Sequence, residues 1–253
     1  MRIALAQLNA TVGDFRANVD RMVHAAQQAV ARGAQVIAFP ELSLPGYPPR
    51  DLVEKPSFLD RNAAELERLA QLTADLDITL ICGYASRSEH PTGKRALNSA
   101  AVIERGKIVF RQHKTLLPTY DVFDEARYFH PADKVELFTL RRKKVALTIC
   151  EDAWNDRTYW TQRLYQRDPV EELFAQGAEL LICINASPFS EGKRDVRRRI
   201  YSAVAKRYNK PVLYVNQVGG NDQLVFDGSS FAMNARGEII ATEIGRASCR
   251  ERV

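Results

Sequence analysis

Residues 144–154 read KVALTICEDAW, and the fold turns on how this stretch is read. Val145, Ala146, Leu147, Thr148 and Ile149 form a short apolar, partly β-branched run, the pattern of a strand covered on both faces. Cys150 stands where such a strand ends. Glu151, Asp152 and Trp154 then break the apolar pattern, which predicts a strand-to-helix turn with the thiol exposed at the rim of a sheet. A nucleophile needs that placement. A small buried hydrophobe, the common fate of a free cysteine, fits the same letters equally well.

Two other stretches share this design. Residues 35–41, QVIAFPE, are a buried strand ending in the carboxylate of Glu41, and residues 108–114, IVFRQHK, are a shorter one ending in the ammonium of Lys114. A thiol, a carboxylate and an ammonium, each just past a strand, make a chemically sensible set. Lys114 would lower the thiol pKa and later stabilise an oxyanion, while Glu41 would shuttle the proton. Spacing alone leaves open whether the three converge.

The remaining chain supplies the frame. Residues 2–8 read as a first strand, and Asp14 can cap a helix whose Val19, Met22, Val23, Ala26 and Val30 keep the 3.6-residue period until Gly33. After Glu41, Pro45, Gly46, Pro48 and Pro49 fix a rigid loop. A helix over 56–73 precedes strands at 78–84, 98–104 and 107–111. The loop to residue 129 packs Tyr120, Phe123, Tyr128 and Phe129 against the core and leaves Asp124 and Glu125 solvated. Beyond Cys150, the pattern predicts a helix over 161–176, a strand at 179–185, a basic helix over 194–208 with a solvated face, and a strand at 212–217. A hairpin of 226–233 with 238–242 closes the domain around Asn234 to Gly237. This order predicts an α/β sandwich with mixed strand directions over residues 1–243. Residues 244–253, IGRASCRERV, show neither period nor turn logic and read as a non-native or unstructured tail.

With 253 residues and 45% hydrophobic content, one large α/β domain is expected. The net charge of +5 is scattered along the chain, which argues against a nucleic-acid partner. Cys82, Cys150, Cys183 and Cys249 show no CxxC pairing, so reduced thiols and a cytoplasmic location are expected. Arg2 leads directly into a strand with no signal peptide, and no apolar run approaches the ~20 residues that span a bilayer. The four histidines lack metal-ligand spacing, so no metal is predicted. His113 is the nearest candidate for a Cys-His pair, but strand alternation points it away from Lys114.

Taken together, the motifs resemble the nitrilase superfamily, and within it the glutaminase domain of glutamine-dependent NAD synthetases. FPELSLPGYPPRDL around Glu41, RQHKTLLPTYDVFDEARYF around Lys114 and LTICEDAW around Cys150 look like the glutamate, lysine and cysteine motifs. INASPFSEGK and LYVNQVGGNDQLVFDGSSF are similar to segments that distinguish the subfamily. The resemblance implies a four-layer αββα sandwich with Glu41, Lys114 and Cys150 as the catalytic triad. It further implies glutamine-binding positions at Tyr120, Ser187 and Lys193, and a second active-site glutamate at Glu125. The implied reaction is hydrolysis of L-glutamine to glutamate and ammonia, feeding a synthetase domain or subunit in a homo-oligomer. The alternatives are a free-standing amidase for another small ω-amide or carbamoyl compound, or an assembly module inactive without its synthetase half.

One departure from the family stands out. The SGGxDS-type pyrophosphate loop of the synthetase half does not occur, since Gly219-Gly220 is followed by Asn221, Asp222 and Gln223. The chain is therefore expected to lack the ATP-dependent synthetase domain. No cofactor is expected here, and ATP, Mg and deamido-NAD belong to the missing half.

Overall fold

Ile3 and Leu5 point into one apolar core while Ala4 and Ala6 point into another, and Val36/Ile37 and Leu80/Ile81 split the same way. Successive strand side chains face opposite sides, so these strands are sandwiched between two layers. The structure is a computed structural model that describes residues 1–243 and the backbone of 248–251.

The first sheet places β1 (Ile3–Gln7), β2 (Val36–Ala38), β3 (Thr79–Arg87), β4 (Ala96–Glu104) and β5 (Lys107–His113) side by side in that order. β1, β2 and β3 run parallel, and β4 and β5 complete an antiparallel meander. In the second sheet, β6 (Phe138–Leu140), β7 (Lys143–Ile149), β8 (Leu180–Asn185) and β9 (Val212–Asn216) are neighbours, with β7, β8 and β9 parallel. A two-stranded ribbon, β10 (Val218–Asn221) and β11 (Leu224–Asp227), stands apart before β12 (Phe231–Met233) and β13 (Ile239–Thr242) return to the sheet.

The two sheets pack face to face. Ile3, Val36 and Ile81 of the first meet Leu147, Ile182 and Leu213 of the second in the inner core. Each such side chain contributes about 1.5–3 kcal/mol when fully buried. Helices α1 (Phe15–Ala31) and α2 (Pro56–Leu72) cover the outer face of the first sheet through Val19, Met22, Leu66 and Leu69. Helices α3 (Pro169–Ala175) and α4 (Lys193–Tyr208) cover the second through Val170, Leu173, Tyr201 and Val204. The result is the expected αββα sandwich. The parallel strands of both sheets present their C-terminal ends to a common rim, where the candidate residues lie.

Three expectations are corrected. The helix expected over 161–176 is only α3, because Pro169 disfavours helical geometry at Asp168, which instead caps the helix by accepting from Glu171 N–H at 3.0 Å. The segment expected as one strand from 226 to 233 is divided: Leu224–Asp227 pairs with β10, and only Phe231–Met233 joins the sheet. Part of the tail is ordered. Ser248–Glu251 forms β14, antiparallel to β1 with Ala4 opposite Glu251 and Gln7 opposite Ser248. Without it β1 would be an edge, and backbone pairing on an open edge needs no side-chain period. The rest of the tail, 244–247 and 252–253, lies outside the described residues.

Candidate active site

The loop after β2 carries Glu41 and folds back onto β3 at Gly83. Leu44 N–H donates to Gly83 O at 3.0 Å, and Gly83 N–H donates to Pro40 O at 3.2 Å. A Cβ at position 83 would lie 2.1 Å from Leu42 N and 2.6 Å from the Glu41 carbonyl carbon, so only glycine admits this approach. Glu41 is wholly buried. Its Oε1 accepts from Lys114 Nζ and from Asn98 Nδ2, both at 2.7 Å, and its Oε2 accepts from Ala186 N–H at 2.9 Å. Lys114 and Asn98 belong to the first sheet and Ala186 to the second, so one carboxylate joins both.

Lys114 follows β5 and is equally buried. Its N–H donates to Asn98 O at 2.8 Å and its C=O accepts from Ala132 N–H at 2.9 Å, which fixes the backbone on both sides. Its Nζ also reaches Glu125 Oε1 at 2.8 Å and Oε2 at 2.7 Å. Burial alone would lower the lysine pKa, but the charges of Glu125 and Glu41 outweigh it and hold the ammonium protonated. Glu125, read from the loop composition as solvated, is buried and also accepts from Tyr47 OH at 2.9 Å. Burial raises its pKa, and the nearby charge of Glu41 adds to this against the pull of Lys114. The Glu125 position implied by the family resemblance is thus in the cluster.

Cys150 opens a 3-10 turn, Cys150–Ala153, at the end of β7 with φ at +48°. A non-glycine residue in that region stores about 1–3 kcal/mol of strain. The thiol is not exposed at the rim as expected. It is only 5% accessible, at the floor of the site. Burial pushes its pKa well up and the charge of Glu41 pushes further, while Lys114 pulls down without prevailing. Lys114 therefore acts in the expected direction, but the resting group is a thiol. Nucleophilic attack must be coupled to loss of its proton, and the nearby Glu41 carboxylate is an acceptor.

Next to the thiol, Glu151 is buried and accepts from Tyr120 OH at 2.9 Å and Tyr165 OH at 3.0 Å. Burial raises its pKa, opposed by Lys114 and the two phenols. Tyr120, Glu151, Trp154, Trp160, Gln162 and Leu164 line a cavity of about 270 Å³. Lys193 starts α4 and is half-buried, with Nζ 5.3 Å from the Phe123 ring centroid and 5.8 Å from that of Trp154. Burial lowers its pKa, and among the described residues no carboxylate lies within ion-pair distance. The mouth thus offers an anion, Glu151, and a cation, Lys193, without a mutual salt bridge.

Ser187 lies beneath this mouth, already engaged. Its Oγ accepts from Arg197 Nε at 3.1 Å, and its N–H donates to Asn216 Oδ1 at 2.8 Å. Arg197, expected on a solvated helix face, is 1% exposed. Its guanidinium donates to Ser187 O at 2.9 Å and Pro188 O at 2.7 Å and pairs with Asp227 at 2.7 Å. Sequence reading missed Asn98, Tyr47, Glu151, Tyr165 and Arg197 as site groups. Asn98, a lone amide at the start of an apolar strand, carried the clearest signal. His113 bonds Ser99 Oγ at 2.7 Å. Among the described residues no group of three or more His, Cys, Asp or Glu could hold a metal.

A buried carboxylate-ammonium-carboxylate set beside a cysteine, at the rim of an αββα sandwich, defines a carbon-nitrogen hydrolase. The carbon-nitrogen hydrolase family profile matches residues 2–247, and the chain belongs to that family. Within it, the chain is similar to glutamine-dependent NAD(+) synthetases. It is 48% identical to that of Synechocystis sp., over 94% of this chain and 43% of the relative, and 40% identical to that of Thermotoga maritima, over 95% and 39%. A structure of glutamine-dependent NAD+ synthetase from Acinetobacter baumannii in complex with ADP superposes with a TM-score of 0.86 at 32% identity, over 99% of this chain and 44% of that one. An amidase from Nesterenkonia sp., at 24% identity and TM-score 0.84, covers 99% of this chain and 89% of its own, and shows the shared fold. The chain thus spans about two fifths of the curated relatives it matches. Among the described residues no helix is long and apolar enough to cross a membrane.

Proposed function

We propose that this chain hydrolyses the side-chain amide of L-glutamine to glutamate and ammonia, as the ammonia-supplying part of a glutamine-dependent NAD synthetase. The observation that carries the reading is the Glu41-Lys114-Glu125 cluster next to Cys150, with Glu151 and Lys193 at its mouth. Cys150 Sγ attacks the amide carbon as its proton passes to Glu41, and the carbonyl oxygen becomes an oxyanion held by Lys114 and the backbone N–H near Glu151. Glu41 then protonates the amide nitrogen, the C–N bond breaks, and ammonia leaves a thioester on Cys150. Water, deprotonated by Glu41, attacks the thioester, and the thiol departs with that proton. Glu125 holds Lys114 protonated throughout.

Glu151 suits the α-ammonium of the substrate and Lys193 its α-carboxylate. Tyr120 orients Glu151, and Ser187 shapes the floor. Deamido-NAD, ATP and Mg would be handled by the synthetase half of the relatives. Gly219 and Gly220 do not fit a phosphate cradle: they lie in β10, paired with Phe226 and Val225, not at a helix N-terminus. The test is release of ammonia and glutamate from L-glutamine by the purified chain, with Cys150→Ala alongside. Turnover that vanishes in a folded Cys150→Ala protein is expected. Turnover that survives the substitution, or that is absent for glutamine but present for another small amide, refutes the reading.

A further inference from the structure

Asp152 lies two residues past the thiol, 1% exposed, and no salt bridge among the described residues includes it. A buried carboxylate without a cation is costly unless its oxygens are fully engaged. Its partners are three backbone N–H groups. Oδ1 accepts from Thr115 at 2.9 Å and Leu116 at 2.8 Å, the two residues after Lys114, and Oδ2 accepts from Ile149 at 3.2 Å, the residue before Cys150. One side chain, 36 and 37 residues along the chain from Leu116 and Thr115, therefore holds together the segments that carry the ammonium and the thiol.

The placement has a direct geometric result. The Lys114 backbone is gripped by Asn98 of the first sheet and by Ala132 of the loop before β6, and the next two amides are gripped by Asp152, in the turn that follows β7 of the second sheet. The third bond closes the turn on which Cys150 adopts its positive φ. We propose that Asp152 is the positioning residue that fixes the Lys114 ammonium relative to the Cys150 thiol, acting through the backbone and touching neither substrate nor reacting atoms. This rests on the proposed cysteine hydrolase chemistry, in which Lys114 must reach the thiolate and the oxyanion.

Asparagine at 152 keeps the shape and one acceptor oxygen, but sets an NH2 group against either the Ile149 N–H or the Thr115 and Leu116 pair. Two donors then face each other and one side of the strut opens. The experiment is the rate of Cys150 alkylation by a small haloacetamide at neutral pH for the unmodified chain, Asp152→Asn, Lys114→Met and the double variant. Asp152→Asn should slow alkylation by about tenfold or more, as expected for misplacement of an activating group. The double variant should react no more slowly than Lys114→Met alone, because the strut acts only through Lys114. Independent, multiplying losses would mean a general structural role and would overturn the proposal, as would an unchanged rate in Asp152→Asn. Should Asp152→Asn not fold, amide hydrogen exchange of the unmodified chain decides: slow exchange at Thr115 and Leu116 supports the strut, and exchange as fast as in an open loop refutes it. Alkylation does not depend on the substrate, so failure on glutamine would sink the functional reading and leave this result standing.

Discussion

Gly83→Ala tests how the Glu41 carboxylate is set. The new methyl would arrive 2.1 Å from Leu42 N and 2.6 Å from both the Glu41 carbonyl carbon and Pro40 O, all of them backbone atoms that cannot rotate aside. To reach ordinary contact the loop must retreat by roughly 1 Å. A shift of that size stretches the 2.7 Å bond from Lys114 and the 2.9 Å bond from Ala186 beyond normal hydrogen-bond lengths. Misplacement on this scale costs about 100-fold in rate, and overpacking costs about 1–3 kcal/mol of stability. The assay is the initial rate of ammonia release from glutamine with the melting temperature beside it, and Gly220→Ala is the control, since its Cβ would meet nothing closer than 3.6 Å. The expected outcome is kcat down by about two orders of magnitude and a melting point lower by several degrees, against an unaffected control. A Gly83→Ala enzyme with kcat within about threefold and an unchanged melting point would refute the reasoning, because the loop would then yield without moving Glu41.

Lys114→Met leaves Glu41 and Glu125 buried without their cation, so a loss of about 3–5 kcal/mol is expected at neutral pH. The loss should shrink in acid, where Glu125, its pKa already raised by burial, can protonate, and urea titrations at several pH values would measure it. Asp152 is held up to about 7 chiefly by burial, against an ordinary carboxylate value near ~4. Between those values the folded chain holds a proton that the unfolded chain has lost, so this group's contribution to stability falls as pH rises through the window and levels off above it. Asp152→Asn should flatten that slope, and an unaltered slope would count against the assignment. Arg197→Met removes the tether on Ser187 and Pro188 and strands Asp227, so thermal denaturation should show a loss of about 3–5 kcal/mol; a change within experimental scatter would place the tether elsewhere.

The strands before Glu41 and Cys150 were legible because they are buried on both faces, so hydrophobic letters run almost unbroken through them, whereas the strand before Lys114, expected to be buried as well, is an edge strand with Val109 exposed. The segment from Trp154 to Asp168 was not. Leu164 and Tyr165 can be read into the period of the helix that follows, and the true start signal, the Asp168 cap before Pro169, lay inside the helix expected over 161–176. The β10 to β11 ribbon was hidden because Gly219 to Asp222 reads as turn. Arg197 looks like any other charge in a basic helix until the Ser187 and Pro188 carbonyls are placed over it. The donor on Glu41 Oε2 is the N–H of Ala186, and a backbone amide leaves no mark in a sequence beyond the alanine that bears it.

The shared carboxylate bond also governs when the protein becomes reactive. Glu41 and Lys114 ride on the first sheet, while Cys150 and the Ala186 amide ride on the second. Before the two sheets close, the cysteine has neither its base nor its cation and behaves as an ordinary thiol. A chain emerging from synthesis, or caught half-refolded, therefore carries a thiol with no carboxylate beside it to take its proton, and that base arrives with the same event that completes the inner core.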